Sequence, residues 1–172
     1  MLWGKHYYGY SKWVYGNFLP MLLDKKVDIY LNGHEHLAAY TNYPYAQVDP
    51  EIINHDDETH NLEAYECHAP YTVEWFFGEE TREQTFTKGH HLHTVTTGHS
   101  GCFPYMVCEG VPAAGRYYYN QNIYNGFTHI HVEEAKVEIK ILGLDNEKDD
   151  MYELYKITIN NDKVDKPDRV IQ

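Results

Sequence analysis

The first third of the chain alternates short apolar runs with polar segments in a pattern that predicts a helix followed by a strand. Apolar residues recur at helical spacing over positions 17–26, and Pro20 falls in the first turn, where a missing N–H costs nothing. Val27–Leu31 is a short apolar run that predicts a strand, with a stop at Gly33. Residues 1–6 predict the last part of a preceding buried strand.

The second half of the chain contains the clearest strand patterns. Leu92–Thr97 predicts a strand that ends at a turn beginning with Gly98. Residues 38–90 lack sustained periodicity, so we predict long loops there, with a candidate strand at Tyr71–Phe77. Apolar and charged residues alternate near the C-terminus, which is typical of a sheet with one face buried and the other in water. Three further strands are predicted at Phe127–Val132, Ala135–Leu142 and Met151–Ile159.

These elements predict one domain over residues 1–160, with 38–90 as a long insert, and a polar tail over 161–172. Strand, helix and strand at the start form the βαβ pattern, which implies two parallel strands and a right-handed crossover. The loops after both strands then leave the sheet at the same carboxyl edge, where α/β folds bind ligands.

Three histidines follow these two strands. His6 comes after the first strand, and His34 and His36 come after the second. Two residues spaced i, i+2 on an extended segment project to the same side, and imidazole is a common ligand of zinc, iron and related ions. Topology therefore predicts that these histidines converge at one edge of the sheet, where they suit a metal ion.

Composition and charge narrow the function classes. The formal net charge is −12, so the field of the protein repels nucleic acid, and we expect no nucleic-acid partner. No apolar run is long enough to predict a membrane span. Cys102 and Cys108 could form a local disulfide that leaves Cys67 unpaired, but three free thiols fit the sequence equally well.

Five segments, in order and over most of the chain, carry motifs that occur together in one known family. The segments are Lys5–Ser11, Phe18–Leu23, Val27–His36, Val95–Gly101 and Asn125–Val132. In the same order, they are similar to a Gly-His-Tyr-Pro-x-x-Ser segment, a Leu-x-Pro-Leu-Leu helix, a Gly-Val-Asp-x-x-Leu-x-Gly-His-x-His segment, a glycine-rich loop and a Gly-Phe strand. With these motifs the chain resembles the purple acid phosphatases, which are binuclear-metal members of the calcineurin-like metallophosphoesterases.

The resemblance implies a fold, a pair of cofactors and a chemistry. The implied fold is α/β: the C-terminal half of a metallophosphoesterase-type β-sandwich flanked by helices, with one βαβ unit and a C-terminal antiparallel hairpin. His6 and His34 would bind one metal ion and His36 the other, with no metal role for Glu35. In this family iron, paired with zinc, iron or manganese, clamps a phosphate ester and lowers the pKa of a bound water for in-line attack. The family is usually secreted, lysosomal or otherwise extracellular.

The chain also departs from the family pattern. The motifs Asp-x-Gly, Gly-Asp-x-x-Tyr and Gly-Asn-His-Glu, which supply the other metal ligands, do not occur before His6. Lys5 replaces a glycine, Tyr8 replaces a proline, and Tyr15 stands where small members place a substrate-facing histidine, which makes Tyr15 a candidate substrate-pocket residue. We therefore expect a phosphomonoester hydrolase that is inactive as this chain alone and is completed by a missing N-terminal half or a partner subunit. The alternative is a catalytically inactive phosphatase-like module in an extracellular or surface assembly.

Other chemistry-bearing residues have predicted places. His99 follows the strand Leu92–Thr97 and should reach the same sheet edge as His34, so it is a candidate for the substrate pocket. The histidines at 90, 91 and 93 are predicted to lie at a solvated strand end, with a second metal site as the alternative. His129 and His131 share one face of a strand, and surface or interface positions are predicted for them; Tyr117–Tyr119 predicts an interface or a binding rim.

Overall fold

The structure is a computed structural model that describes residues 17–45, 67–72, 74–76, 81–101, 103–104, 107–108, 116–145 and 150–162. Within these ranges it contains one α-helix and eleven strands. The helix is α1 (Leu19–Asp24), and the strands are β1 (Ile29–Asn32), β2 (Ala38–Pro44), β3 (Cys67–His68), β4 (Glu74–Trp75), β5 (Glu83–Thr87), β6 (His91–Thr97), β7 (Val107–Cys108), β8 (Arg116–Gln121), β9 (Gly126–Val132), β10 (Lys136–Asp145) and β11 (Asp150–Asn160).

The first sheet holds five strands in the order β1-β6-β2-β8-β4. Strands β1 and β6 run parallel, and the remaining neighbours run antiparallel. Strand β2 occupies the centre and is buried from Ala38 to Tyr43. The prediction of loops over this part of 38–90 was therefore wrong: a strand covered on both faces carries no apolar–polar alternation to reveal it.

The second sheet has the order β5-β11-β10-β9. Strands β9, β10 and β11 form a continuous antiparallel meander, which confirms the three predicted C-terminal strands and their hairpin. Ile139 and Ile141 on β10 are buried together with Ile157 and Ile159 on β11, as the alternating pattern requires. Strand β5 joins the edge of this sheet in parallel with β11 and was missed, since its five residues alternate only weakly.

The two sheets share one hydrophobic core in which tyrosines fill much of the space. The ring of Tyr155 on β11 stacks on Tyr119 of β8 at a centroid distance of 4.9 Å and contacts Tyr40 of β2 at 5.6 Å. The predicted interface or rim position was therefore wrong for Tyr119, which is fully buried. Its hydroxyl donates to Glu74 Oε1 at 3.1 Å, and burial raises the pKa of Tyr119 well above its ordinary value.

Helix α1 covers one end of the first sheet. Leu19 and Leu22 pack there against Tyr43 of β2 and Leu92 of β6, and Pro20 occupies the first turn as predicted. The first strand of the predicted βαβ unit, over residues 1–6, lies outside the described residues, as does the tail from residue 163 onward. What the structure establishes is a mixed α/β protein, built mostly of strands in two mixed sheets. No helix in the described ranges is long and apolar enough to cross a membrane.

Candidate metal centre

The candidate site lies at one edge of the first sheet, where β1 and β6 both end. The two strands are parallel and in register from Ile29 opposite His93 to Asn32 opposite Thr96, so their carboxyl ends lie side by side. The loop 33–37 leaves β1 at this edge, and Gly98 and His99 leave β6 beside it. The expectation that the loop of His99 reaches the same sheet edge as His34 is thereby confirmed.

The two loops are in direct backbone contact at Gly98. A Cβ atom added to Gly98 would lie 1.8 Å from the Glu35 carbonyl oxygen and 2.7 Å from the Gly33 carbonyl oxygen. The Gly98 N–H also donates to the Leu37 carbonyl at 3.1 Å. Only glycine permits this approach, so this residue determines how closely the histidine loop lies against the end of β6.

The side chains of the histidine loop alternate in exposure. His34 is exposed and His36 partly exposed, whereas Glu35 between them is only 3% exposed. Both imidazoles are therefore accessible to solvent at this edge. Glu35 is buried, and the absence of a metal role for it stays a prediction.

The ring of His36 is oriented by a residue far away in the sequence. His36 Nδ1 donates to the Phe103 carbonyl oxygen at 3.2 Å, and the two rings meet edge to face with centroids 6.2 Å apart. A carbonyl only accepts, so Nδ1 carries a proton, and in the neutral form of the ring the lone pair is on Nε2. Metal-binding histidines commonly have their other nitrogen held in this way by a backbone carbonyl.

Phe103 was not predicted as a neighbour of the candidate site. Its contribution to His36 comes from a backbone carbonyl 67 positions away, and no sequence pattern signals a contact of that kind. The Phe103 side chain is itself 63% exposed, so an aromatic face lies open beside the candidate ligand.

His99 is anchored rather than open to solvent. It is 2% exposed, its Nε2 donates to the Leu142 carbonyl at 3.1 Å, and its own carbonyl accepts from the Gly126 N–H at 3.0 Å. Burial lowers the pKa of His99, partly opposed by the bond to Leu142, so the ring is neutral near pH 7. In this conformation His99 ties the end of β6 to the start of β9 and to β10. A role in the substrate pocket stays a prediction.

The remaining predicted site residues are not brought together in the described part of the chain. His6 and Tyr15 lie outside the described residues. Within the described ranges, no group of three or more His, Cys, Asp or Glu side chains is placed to hold a metal ion. The described part of the site therefore consists of His34 and His36, which suit a metal ion as neutral nitrogen donors but supply fewer ligands than a metal centre needs.

The histidines at the start of β6 differ from one another in environment. His90 is exposed, as predicted, but His93 is 1% exposed and shares a hydrogen bond of 2.7 Å between its Nδ1 and the Tyr40 hydroxyl. Desolvation, with a smaller contribution from His91, lowers the pKa of His93 to about 3. The prediction of a solvated strand end was therefore wrong for His93, because its side of the strand faces the core between the sheets.

The two histidines of β9 lie on the surface, as predicted. His129 and His131 are exposed with stacked rings 6.5 Å apart, and His131 Nε2 lies 2.9 Å from Glu133 Oε1. They belong to the edge strand of the second sheet and take no part in the site at the end of β1.

In comparisons with family models, with curated proteins and with solved structures, nothing matches this chain.

Proposed function

We propose that this chain forms part of a metal-dependent phosphomonoester hydrolase of the purple acid phosphatase type. We also propose that the fold of the chain is of the metallophosphoesterase type. The observation that carries it is the contact at Gly98, which joins the histidine loop after β1 to the end of the parallel strand β6. A ligand bound at the carboxyl ends of adjacent parallel strands is the usual arrangement in α/β proteins.

In this proposal His34 and His36 hold metal ions, with His6 as a further ligand beside His34. His36 binds through Nε2, because its Nδ1 is committed to the Phe103 carbonyl. This hydrogen bond fixes both the tautomer and the plane of the His36 ring before a metal ion binds. It favours binding because the ring then loses less conformational freedom when the ion arrives. When bound, a pair of ions, iron with zinc, iron or manganese, supplies Lewis-acid polarisation of a phosphate ester and an activated water nucleophile.

The substrate and the completing partner follow from the same chemistry. Three imidazoles cannot saturate a binuclear centre, so in this proposal the remaining ligands come from an N-terminal half of the protein or from a partner subunit. The exposed phenyl ring of Phe103 beside His36 gives the organic part of a phosphate ester an apolar surface to contact. The proposed location of the protein is secreted, lysosomal or otherwise extracellular.

The test is metal analysis and a phosphatase assay on the protein purified from its own cells, with every residue that its transcript encodes before Met1. We expect two metal ions per chain and hydrolysis of an aryl phosphomonoester. His34→Ala and His36→Ala should lower the activity by at least about 100-fold and reduce the metal content. His131→Ala is the matched control, because it removes an exposed imidazole from the edge strand β9. Unchanged metal content and activity in His34→Ala would refute the proposed site.

The alternative is a phosphatase-like module without activity. It is favoured by the small number of ligands in the described ranges, where no third His, Cys, Asp or Glu joins His34 and His36. If the purified protein contains no stoichiometric metal and the transcript encodes no aspartate, tyrosine and asparagine ligands upstream, this alternative replaces the enzyme.

A further inference from the structure

Strands β3 and β7 form a small antiparallel sheet of their own, with two residues in each strand. In this sheet Cys67 lies directly opposite Cys108, and His68 lies opposite Val107. Directly opposed residues of antiparallel strands have Cα atoms about 4.5–5.5 Å apart, and disulfides join Cα atoms about 4.4–6.8 Å apart. The backbone register therefore places these two cysteines at the separation that a disulfide requires.

The segments that carry the two strands are also held by contacts outside this small sheet. Just after β3, the Asn122 side chain donates from Nδ2 to the Ala69 carbonyl at 2.9 Å, which ties the segment to the end of β8. A few residues before β7, the Phe103 carbonyl accepts from His36 Nδ1 at 3.2 Å. Two pairs of residues are too few to make a stable two-stranded sheet. Contacts outside the small sheet thus hold both segments in place, so that Cys67 stays opposite Cys108. A covalent bond between the two cysteines would stabilise the pairing of β3 with β7.

We propose that Cys67 and Cys108 form a disulfide bond and that Cys102 remains a thiol. The bond forms by thiol–disulfide exchange with oxidised glutathione or an oxidised dithiol oxidoreductase. Each cysteine thiol loses a proton, one sulfur–sulfur bond forms between them, and the two electrons reduce the oxidant's disulfide to two thiols. The link differs from the local Cys102–Cys108 bridge suggested by proximity in the sequence.

Peptide mapping of the protein isolated from its own cells tests the pairing directly. Free thiols are blocked with N-ethylmaleimide during lysis, and the unreduced protein is digested. Trypsin leaves Cys102 and Cys108 in one peptide over 89–116, so chymotrypsin is added to cleave after Tyr105. We expect a linked pair of peptides containing Cys67 and Cys108 and a blocked Cys102. A Cys102–Cys108 link, a Cys67–Cys102 link or three blocked thiols would each overturn the proposal.

Thermal unfolding supplies a second, independent measurement. Cys67→Ser and Cys108→Ser should each lower the unfolding midpoint by about 10 °C, because the link spans a long stretch of chain, and the double variant should be no worse than either. Reduction of the wild-type protein with dithiothreitol should give the same lowered midpoint, which excludes a packing effect of serine. Cys102→Ser is the matched control and should leave the midpoint unchanged. Equal midpoints for Cys67→Ser and the oxidised wild-type protein would overturn the proposal. None of these readouts needs phosphatase activity, so they are independent of the proposed function.

Discussion

Replacing Gly98 with alanine should separate the two loops that form the candidate site. The new Cβ would lie 1.8 Å from the Glu35 carbonyl oxygen, and real Cβ atoms are essentially never closer than 3.0 Å to another heavy atom, so the backbone must shift by at least about 1.2 Å. Forced overpacking of this kind typically costs about 1–3 kcal/mol. Loss of the bond from the Gly98 N–H to the Leu37 carbonyl adds about 1 kcal/mol. We therefore expect Gly98→Ala to lower the free energy of unfolding by about 2–4 kcal/mol.

The assay is urea unfolding followed by far-ultraviolet circular dichroism, with Gly33→Ala as the matched control. A Cβ atom on Gly33 would have its nearest contact at the Thr97 carbonyl oxygen, 3.8 Å away. Neither glycine has a positive φ, so backbone strain does not distinguish the two variants. Gly33→Ala should leave stability unchanged or raise it by less than about 1 kcal/mol, because alanine restricts the unfolded chain. Equal stabilities for the two variants would refute the close approach of Gly98 to the histidine loop.

Three further predictions concern the core and one ion pair. Because burial lowers the pKa of His93 from 6.5 to about 3, the unfolded chain binds a proton in this window that the folded chain does not, and stability falls as the pH drops through it. Urea unfolding at several pH values should show that His93→Gln loses this part of the slope, and an unchanged slope would mean that the ring is solvated. Ile157→Ala, at a fully buried position, should lower the free energy of unfolding by about 2–5 kcal/mol. Val132→Ala, at a residue that is 70% exposed, should change it by less than about 0.5 kcal/mol. Similar losses of stability in the two variants would contradict the assignment of the core. Arg82 donates to both carboxylate oxygens of Glu74, at 2.6 and 2.8 Å, but its side chain is half exposed. Arg82→Met should therefore lower the free energy of unfolding by only about 1 kcal/mol in low salt and by less in high salt. A loss of stability that does not depend on salt would assign the effect to packing of the aliphatic part of the arginine side chain.

The parts of the fold that could be predicted are those whose burial is one-sided. Ile139 and Ile141 face the core while Lys140 between them pairs with Glu138 and Glu153, so β10 shows its periodicity in the sequence. In the central strand β2 both faces are covered, and Thr41 and Asn42 are as buried as the apolar residues beside them. Such a segment gives no alternation, so it is indistinguishable from a loop until its neighbours are known.

In the candidate site, too, local features could be predicted from the sequence, whereas contacts between distant segments could not. The His34 and His36 loop could be placed from the apolar run before it and the glycine beside it, since both are local features. The hydrogen bond from His36 to the Phe103 carbonyl could not, because a backbone carbonyl has no residue preference and the contact depends on the tertiary fold. Likewise, His93 has the same residue type as its exposed neighbour His90, and only the direction of its side chain relative to the second sheet decides its burial.

The order of the strands has a consequence for how the protein folds. Strands β9, β10 and β11 are joined by short connections, so their pairing closes only small loops and is entropically cheap. The first sheet depends on pairings between distant segments: Asn32 contacts Val95 across 63 positions, and Tyr40 contacts His93 across 53. Pairings of this range form slowly, because loop closure must precede any gain from contact. We therefore expect the C-terminal meander to form early and the edge that carries His34 and His36 to be assembled last. The histidine loop should then also be the first region to lose protection when hydrogen exchange is followed under mildly destabilising conditions.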